Sequence, residues 1–180
     1  MTRCTAEEVR RLMSRVLPAR QKEAMRYKHV FGQYCCLRSY EMLDELLHAA
    51  GYAMSPWRTN QYGKPYLTDG PFFSISHCRL GIAVAIADRE IGVDIESIRR
   101  ADRSLVERTM NDAEQAEIFR SDRPDEAFTA LWTQKEAVLK MRGTGILDDL
   151  HHVLDAPQDY TLQTFRLPEK GYCYSVGCRV

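Results

Sequence analysis

The chain has 180 residues, 44% of them hydrophobic and 28% charged, which suits a folded domain with a real core and excludes a disordered chain. Lys and Arg total 25, as do Asp and Glu, so the net charge is zero and a dedicated nucleic-acid binder is disfavoured. The longest apolar run, GIAVAIA at 81–87, is too short to span a membrane, and the first residues hold no apolar signal core, so a cytoplasmic protein with reduced cysteines is expected.

In chain order, helices are predicted over 6–16, 20–31 and 33–50. Pro18 separates the first two, and the last two are read as possibly continuous. Leu37, Tyr40, Leu43, Leu46 and Leu47 recur at helical spacing, and Gly51 supplies a stop. Residues 55–71 are rich in turn formers. Strands follow at Phe72–Ser76, Ile82–Ala87 and Ile91–Glu96, and the short link DRE at 88–90 predicts a hairpin of the last two. Residues 103–120 read as helical with a break near Asn111, where Asn111 and Glu114 fit a capping box. Pro124 opens a further helix to about Arg142, stopped by Gly143 and Gly145. Strands Tyr160–Leu167 and Tyr172–Val180 close the chain around the turn PEKG. Helices, strands, helices, strands make an α+β protein, and the order suggests two similar halves.

The stretch IGVDIE at 91–96 concentrates the chemistry. Side chains alternate along a strand, so Asp94 and Glu96 point to one side of an otherwise apolar segment. Two adjacent carboxylates repel and are costly to desolvate. In WTQKEAVLKMRG at 132–143, Trp132, Glu136 and Lys140 lie on one helical stripe, with Lys135 rotated away from it. If that helix covers the Asp94/Glu96 face, three carboxylates converge and need a cation. Oxygen ligands without His or Cys favour Mg²⁺, completed by water and phosphate oxygens. Taken singly, either motif also fits an exposed strand face or an ordinary surface pair.

Together with GKP at 63–65 and FSISH at 73–77, these motifs resemble, in order and approximate spacing, the Sfp-type 4′-phosphopantetheinyl transferases. The resemblance spans residues 63–143. It implies one domain with a pseudo-twofold arrangement of two α+β halves, residues 1–88 and 89–180. It also implies a monomer that moves the phosphopantetheine arm of coenzyme A to a serine of an apo acyl or peptidyl carrier protein. On the same basis Asp94, Glu96 and Glu136 would hold Mg²⁺, Lys140 would stabilise phosphate charge, and Glu136 would serve as base. Lys64, Ser76, His77, Lys135 and Lys140 would contact coenzyme A, with His77 at its 3′-phosphate. The family's early helix arginine has no counterpart here, because Gln33 or Tyr34 falls near its place; Arg20, Lys22 or Arg38 would substitute. Residues 1–30 carry eight Lys/Arg against three Glu, net +5, a match for an anionic ligand or an ordinary solvated face.

Glu114 reads either as a further acid of the site or as a capping residue. Cys35 and Cys36 read as helix packing, His151 and His152 as a polar loop, and Tyr160, Phe165, Tyr172 and Tyr174 as core. Two other functions compete with transfer: a non-catalytic coenzyme A or carrier-protein binding module, and a Mg²⁺-dependent nuclease. The first is disfavoured by the complete set of carboxylates and Lys140. The second is disfavoured by the helical Glu136/Lys140 spacing and the neutral charge.

Overall fold

The computed structural model describes residues 4–145, 149–155 and 159–180, in two compact units divided between Ser55 and Pro56. The first unit is helical: α1 (Ala6–Met13), α2 (Pro18–Ala24) and α3 (Val30–Ala49). Thr5 caps α1 by accepting from the Glu8 N–H, and Pro18 stands in the first turn of α2. Val9, Leu12 and Val16 are buried, as are Leu37, Tyr40, Leu43 and Leu47, with Leu46 half-buried, and α1 packs on α3.

The helix expected to run to residue 31 ends at Ala24. Arg26 and Tyr27 N–H groups bond three residues back, to Glu23 and Ala24, and the Gln33 side chain caps the turn by donating to the Tyr27 carbonyl at 3.0 Å. Tyr27 sits against Gly32, where an added Cβ would meet its ring at 2.8 Å, so the chain turns back on itself and α2 and α3 are separate helices.

The second unit holds all the strands. The turn-rich stretch contains a small hairpin, β1 (Trp57–Thr59) with β2 (Pro65–Leu67), that sequence reading does not resolve. Asn60 organises its loop: Oδ1 accepts from the Tyr62 and Lys64 N–H groups, and Nδ2 donates to the Gly143 carbonyl at 2.9 Å. Next come β3 (Phe72–Cys78), β4 (Gly81–Ala87) and β5 (Ile91–Ser97). The hairpin is β3 with β4, not β4 with β5. Instead β5 pairs with the C-terminal strand β7 (Tyr172–Arg179), which also pairs with β6 (Tyr160–Leu167), giving an antiparallel sheet of order β5–β7–β6.

The physical reason is burial. Ile91 to Ile95 are buried without a break, which a hairpin edge strand could not achieve. The other side of β5 is closed by side chains: the Ser74 and Ser76 hydroxyls of β3 accept the Val93 and Ile95 N–H groups, at 3.0 and 3.4 Å. Two serines two residues apart thus take the place of a backbone ladder.

Helices α4 (Arg103–Thr109), α5 (Asp112–Arg120) and α6 (Pro124–Arg142) complete the unit. The capping box is present: Asn111 accepts from the Glu114 N–H, and Glu114 reaches back to the Asn111 N–H at 2.8 Å. Val106, Met110, Ile118, Phe128 and Leu131 form one apolar cluster among these helices. Val138, Leu139, Met141, Val153 and Tyr160 form another between α6 and β6. Gly143 ends α6 in the left-handed conformation, φ 69°. Among the described residues no helix is long and apolar enough to cross a membrane.

The α6 backbone lies directly on the sheet. A Cβ at Gly92 would stand 1.9 Å from the Ala137 carbonyl oxygen and 2.4 Å from the Met141 nitrogen. Its cross-strand partner Gly177 meets the same Ala137 at 3.8 Å, an ordinary contact. Gly92→Ala is therefore expected to cost about 3 kcal/mol or more through forced separation of helix and strand. Gly177→Ala is expected to cost less than about 1 kcal/mol on the same scale. Urea midpoints of the two variants check this, and equal losses would place the constraint elsewhere.

Candidate active site

Close packing at Gly92 brings one stripe of α6 over the polar row of the sheet. Asp94 lies on β5 beneath the helix and is 3% exposed. Its Oδ1 accepts from the Lys140 ammonium at 2.6 Å and from the Ser76 hydroxyl at 2.7 Å. Lys140 also donates to Ser76 Oγ at 2.8 Å, closing a three-membered group. Asp94 Oδ2 is buried with no hydrogen-bond partner. Beyond Asp94, Ser175 of β7 bonds Thr133 of α6 at 2.8 Å and Thr164 of β6 at 3.0 Å, so hydroxyls continue the row across the sheet.

Glu96 and Glu136 are half-buried and near enough to Asp94 and Lys140 for those charges to act on both. Burial raises the pKa of both above the ordinary carboxylate value, and the charge of Asp94 raises both further. Lys140 and Arg99 oppose the rise in each case. The three carboxylates are thus electrostatically coupled, as the strand alternation and helix stripe imply.

The donor set suits a hard divalent cation, since it consists of carboxylate oxygens and one of them is buried without a partner. As placed, no three His, Cys, Asp or Glu side chains among the described residues form a metal-holding group; the cation against Asp94 is the Lys140 ammonium.

The structure does not bring Lys135 to this site. Rotated away from the stripe, Lys135 is 1% exposed, and its three protons go to Glu114 Oε2 at 2.6 Å and the carbonyls of Thr109 and Leu150 at 3.2 and 2.6 Å. No donor is left for coenzyme A. Glu114 is accordingly both capping residue and ion-pair partner, and it ties α5 to α6 rather than joining the carboxylates.

Beside Glu136 and Lys140 lies a cleft of about 300 Å³, lined also by Tyr62, Lys64, Phe73 and Ser74. Lys64 donates to the Met141 and Ile91 carbonyls at 3.0 and 3.3 Å, so it clamps the end of α6 to β5 while forming one wall. Burial lowers its pKa. Ser76 serves Asp94 and Lys140, and His77, next along β3, is exposed on the opposite face. In the first unit, Arg20 is buried, paired with Glu23 at 2.5 Å and placed over the Tyr40 ring; Lys22 is exposed, and Arg38 pairs with Glu41 and Glu45. Sequence reading passes over Arg99, whose charge reaches Glu96 and Glu136; the visible signal is a base three residues after Glu96 on the strand's exit.

Two outcomes are expected from this geometry. Lys135→Ala breaks a buried pair and lowers stability by about 3–5 kcal/mol; Lys140→Ala, whose side chain is 30% exposed, loses far less. Denaturant unfolding of both variants measures the difference, and a larger loss for Lys140→Ala would refute the assignment. The second concerns pH. With folded pKa values raised above the ordinary 4.5, Glu96 and Glu136 bind protons more tightly folded than unfolded. Stability from these groups therefore falls as pH rises from about 4.5 through the raised values. In metal-free buffer, Glu96→Gln and Glu136→Gln are expected to stabilise the protein at neutral pH, with the gain shrinking as pH falls toward 4.5. A gain independent of pH contradicts the coupling.

Residues 90–178 match the family profile of the 4′-phosphopantetheinyl transferase superfamily. Among curated proteins, 4′-phosphopantetheinyl transferase Sfp of Bacillus subtilis (strain 168) is 26% identical over 148 residues, covering 78% of this chain and 66% of that protein. The 4′-phosphopantetheinyl transferase gsp of Aneurinibacillus migulanus is 29% identical over 143 residues, 75% of this chain and 59% of that one. AcpT of Salmonella typhimurium, a 4′-phosphopantetheinyl transferase, is 39% identical over 102 residues, 51% of this chain and 53% of its own. The matched stretches thus span between about half and 66% of these relatives. The profile match takes in Asp94, Glu96, Glu136 and Lys140, and over that stretch the chain is similar to the 4′-phosphopantetheinyl transferase superfamily.

Proposed function

We propose that the protein transfers the 4′-phosphopantetheine group of coenzyme A to a serine hydroxyl of an apo carrier protein, releasing adenosine 3′,5′-bisphosphate. The observation that carries this reading is the electrostatically linked set Asp94, Glu96, Glu136 and Lys140, of which Glu136 and Lys140 line the cleft. Named relatives act as phosphopantetheinyl transferases, and the chemistry of this set suits a pyrophosphate.

In this reading Asp94, Glu96 and Glu136 hold Mg²⁺, which when bound neutralises charge at the phosphorus under attack and on the leaving phosphate. The chain's own groups do the rest. The serine oxygen forms a bond to the phosphorus that carries the pantetheine arm, and the bond from that phosphorus to the nucleotide phosphate oxygen breaks. Glu136 receives the serine proton. Lys140 stabilises charge on the phosphoryl oxygens, and Ser76 holds Lys140 and Asp94 in register. Lys64 lines the cleft, and on the resemblance it supports the binding of coenzyme A. On the resemblance, His77 reads the 3′-phosphate. All six cysteines are free, in keeping with a reducing cytoplasm, and a monomer belongs to the same reading.

Incubation with coenzyme A, Mg²⁺ and an apo carrier, followed by intact-mass measurement of the carrier, is expected to show addition of one phosphopantetheine. Asp94→Asn and Glu136→Gln are expected to lower kcat by on the order of a hundredfold or more. Binding of coenzyme A without any mass change of the carrier would favour a non-catalytic binding module instead.

A further inference from the structure

Arg99 leaves β5 three residues after Glu96 and is fixed at both ends. Its backbone N–H donates to Thr129 Oγ1 of α6 at 3.2 Å. Its guanidinium lies over the Trp132 ring at 4.7 Å and the Phe128 ring at 5.3 Å. Yet Nε and Nη2 are both buried without a hydrogen-bond partner. These two atoms form one edge of the guanidinium, with their N–H bonds parallel. That edge matches the paired oxygens of a carboxylate or phosphate. A guanidinium stays charged, and each buried unsatisfied N–H is costly, so an unpartnered edge calls for a ligand.

The location narrows the ligand. Arg99 is close enough to Glu96 and Glu136 for its charge to act on both, but it makes no ion pair with either among the described residues. Trp132, which carries Arg99, and Lys140 stand one turn before and one turn after Glu136 on α6, each about 6 Å along the axis. Two cations therefore flank Glu136, with Lys140 on the side of the cleft. An anion seated beside Glu136 meets both.

We propose that the Nε/Nη2 edge of Arg99 binds two non-bridging oxygens of the phosphoryl group that is transferred, which makes Arg99 a further catalytic residue. The inference rests on the transfer reaction proposed above. Lys140 then serves the phosphoryl group from the cleft side and Arg99 from the far side, and neither group moves far because Ser76 and Trp132 hold them.

The test uses Arg99→Lys, which keeps charge without the two-pronged edge, and Arg99→Met, which keeps the stem over the rings without charge. Calorimetry with Mg²⁺ and no carrier measures binding of coenzyme A, which contains the transferred phosphoryl group, and of adenosine 3′,5′-bisphosphate, which lacks it. Arg99→Met is expected to weaken coenzyme A binding about tenfold or more, with Arg99→Lys intermediate, while bisphosphate binding is unchanged in both. In transfer assays kcat should fall in both variants, more in Arg99→Met. The proposal is overturned if both ligands weaken together, if neither weakens, if Arg99→Lys equals the parent, or if only the KM for the carrier rises. That last result would assign the edge to a carboxylate of the acceptor. A parent that binds coenzyme A but leaves the carrier unmodified overturns the transfer reading, while the difference between the two ligands still decides whether Arg99 touches that phosphoryl group.

Discussion

The second unit depends on how closely helix α6 lies on strand β5. Where Gly92 meets Ala137 there is no side chain between helix backbone and strand backbone. Only at that separation does a lysine on α6 reach a buried carboxylate on β5 with a 2.6 Å contact. A larger residue at 92 would lift the helix and part Lys140 from Asp94, even though neither had changed. The glycine in IGVDIE is therefore as much a part of the site as the acids that follow it.

Two lysines of α6 form short ion pairs, and their surroundings give them different work. Lys135 and Glu114 are enclosed, the Thr109 and Leu150 carbonyls take the remaining Lys135 protons, and the Asn111 N–H donates to the Glu114 oxygen that holds Lys135. Such a pair fixes helix α6 against α5 and has nothing to exchange. Lys140 is partly open to solvent, and its partner keeps one oxygen without a bond. That pair is the one able to trade partners when a metal or phosphate arrives. Adjacent turns of one helix thus carry a fastening and a reactive group on opposite sides.

Much of this was legible in the chain. Strand alternation put Asp94 and Glu96 on one face, helical spacing joined Glu136 to Lys140, and N-x-x-E marked the capping box. The rotation that removes Lys135 from the stripe was also visible, although the family resemblance argued for it as a ligand contact. What was not legible was partnership at a distance. The short DRE link suggested a β4–β5 hairpin, because a link says where a strand starts and not whom it pairs with. The choice of β7 follows from the burial of β5 on both faces, which no local window contains. Nor could local pattern show Arg99 over Trp132, since strand exit and helix meet only after packing.

The serine seam between β3 and β5 couples the site to the sheet. Ser76 Oγ accepts the Ile95 N–H and the Lys140 ammonium while giving its own proton to Asp94. Its lone pairs face the seam only because the Asp94 oxygen takes the hydroxyl hydrogen. A side chain without an acceptor oxygen in place of that carboxylate releases the hydrogen and lets the hydroxyl rotate, so the strand join loosens as the acceptor is lost. The reacting group and the strand join thus meet at one oxygen atom, and the cleft wall carried by β3 leans on the acceptor beneath it.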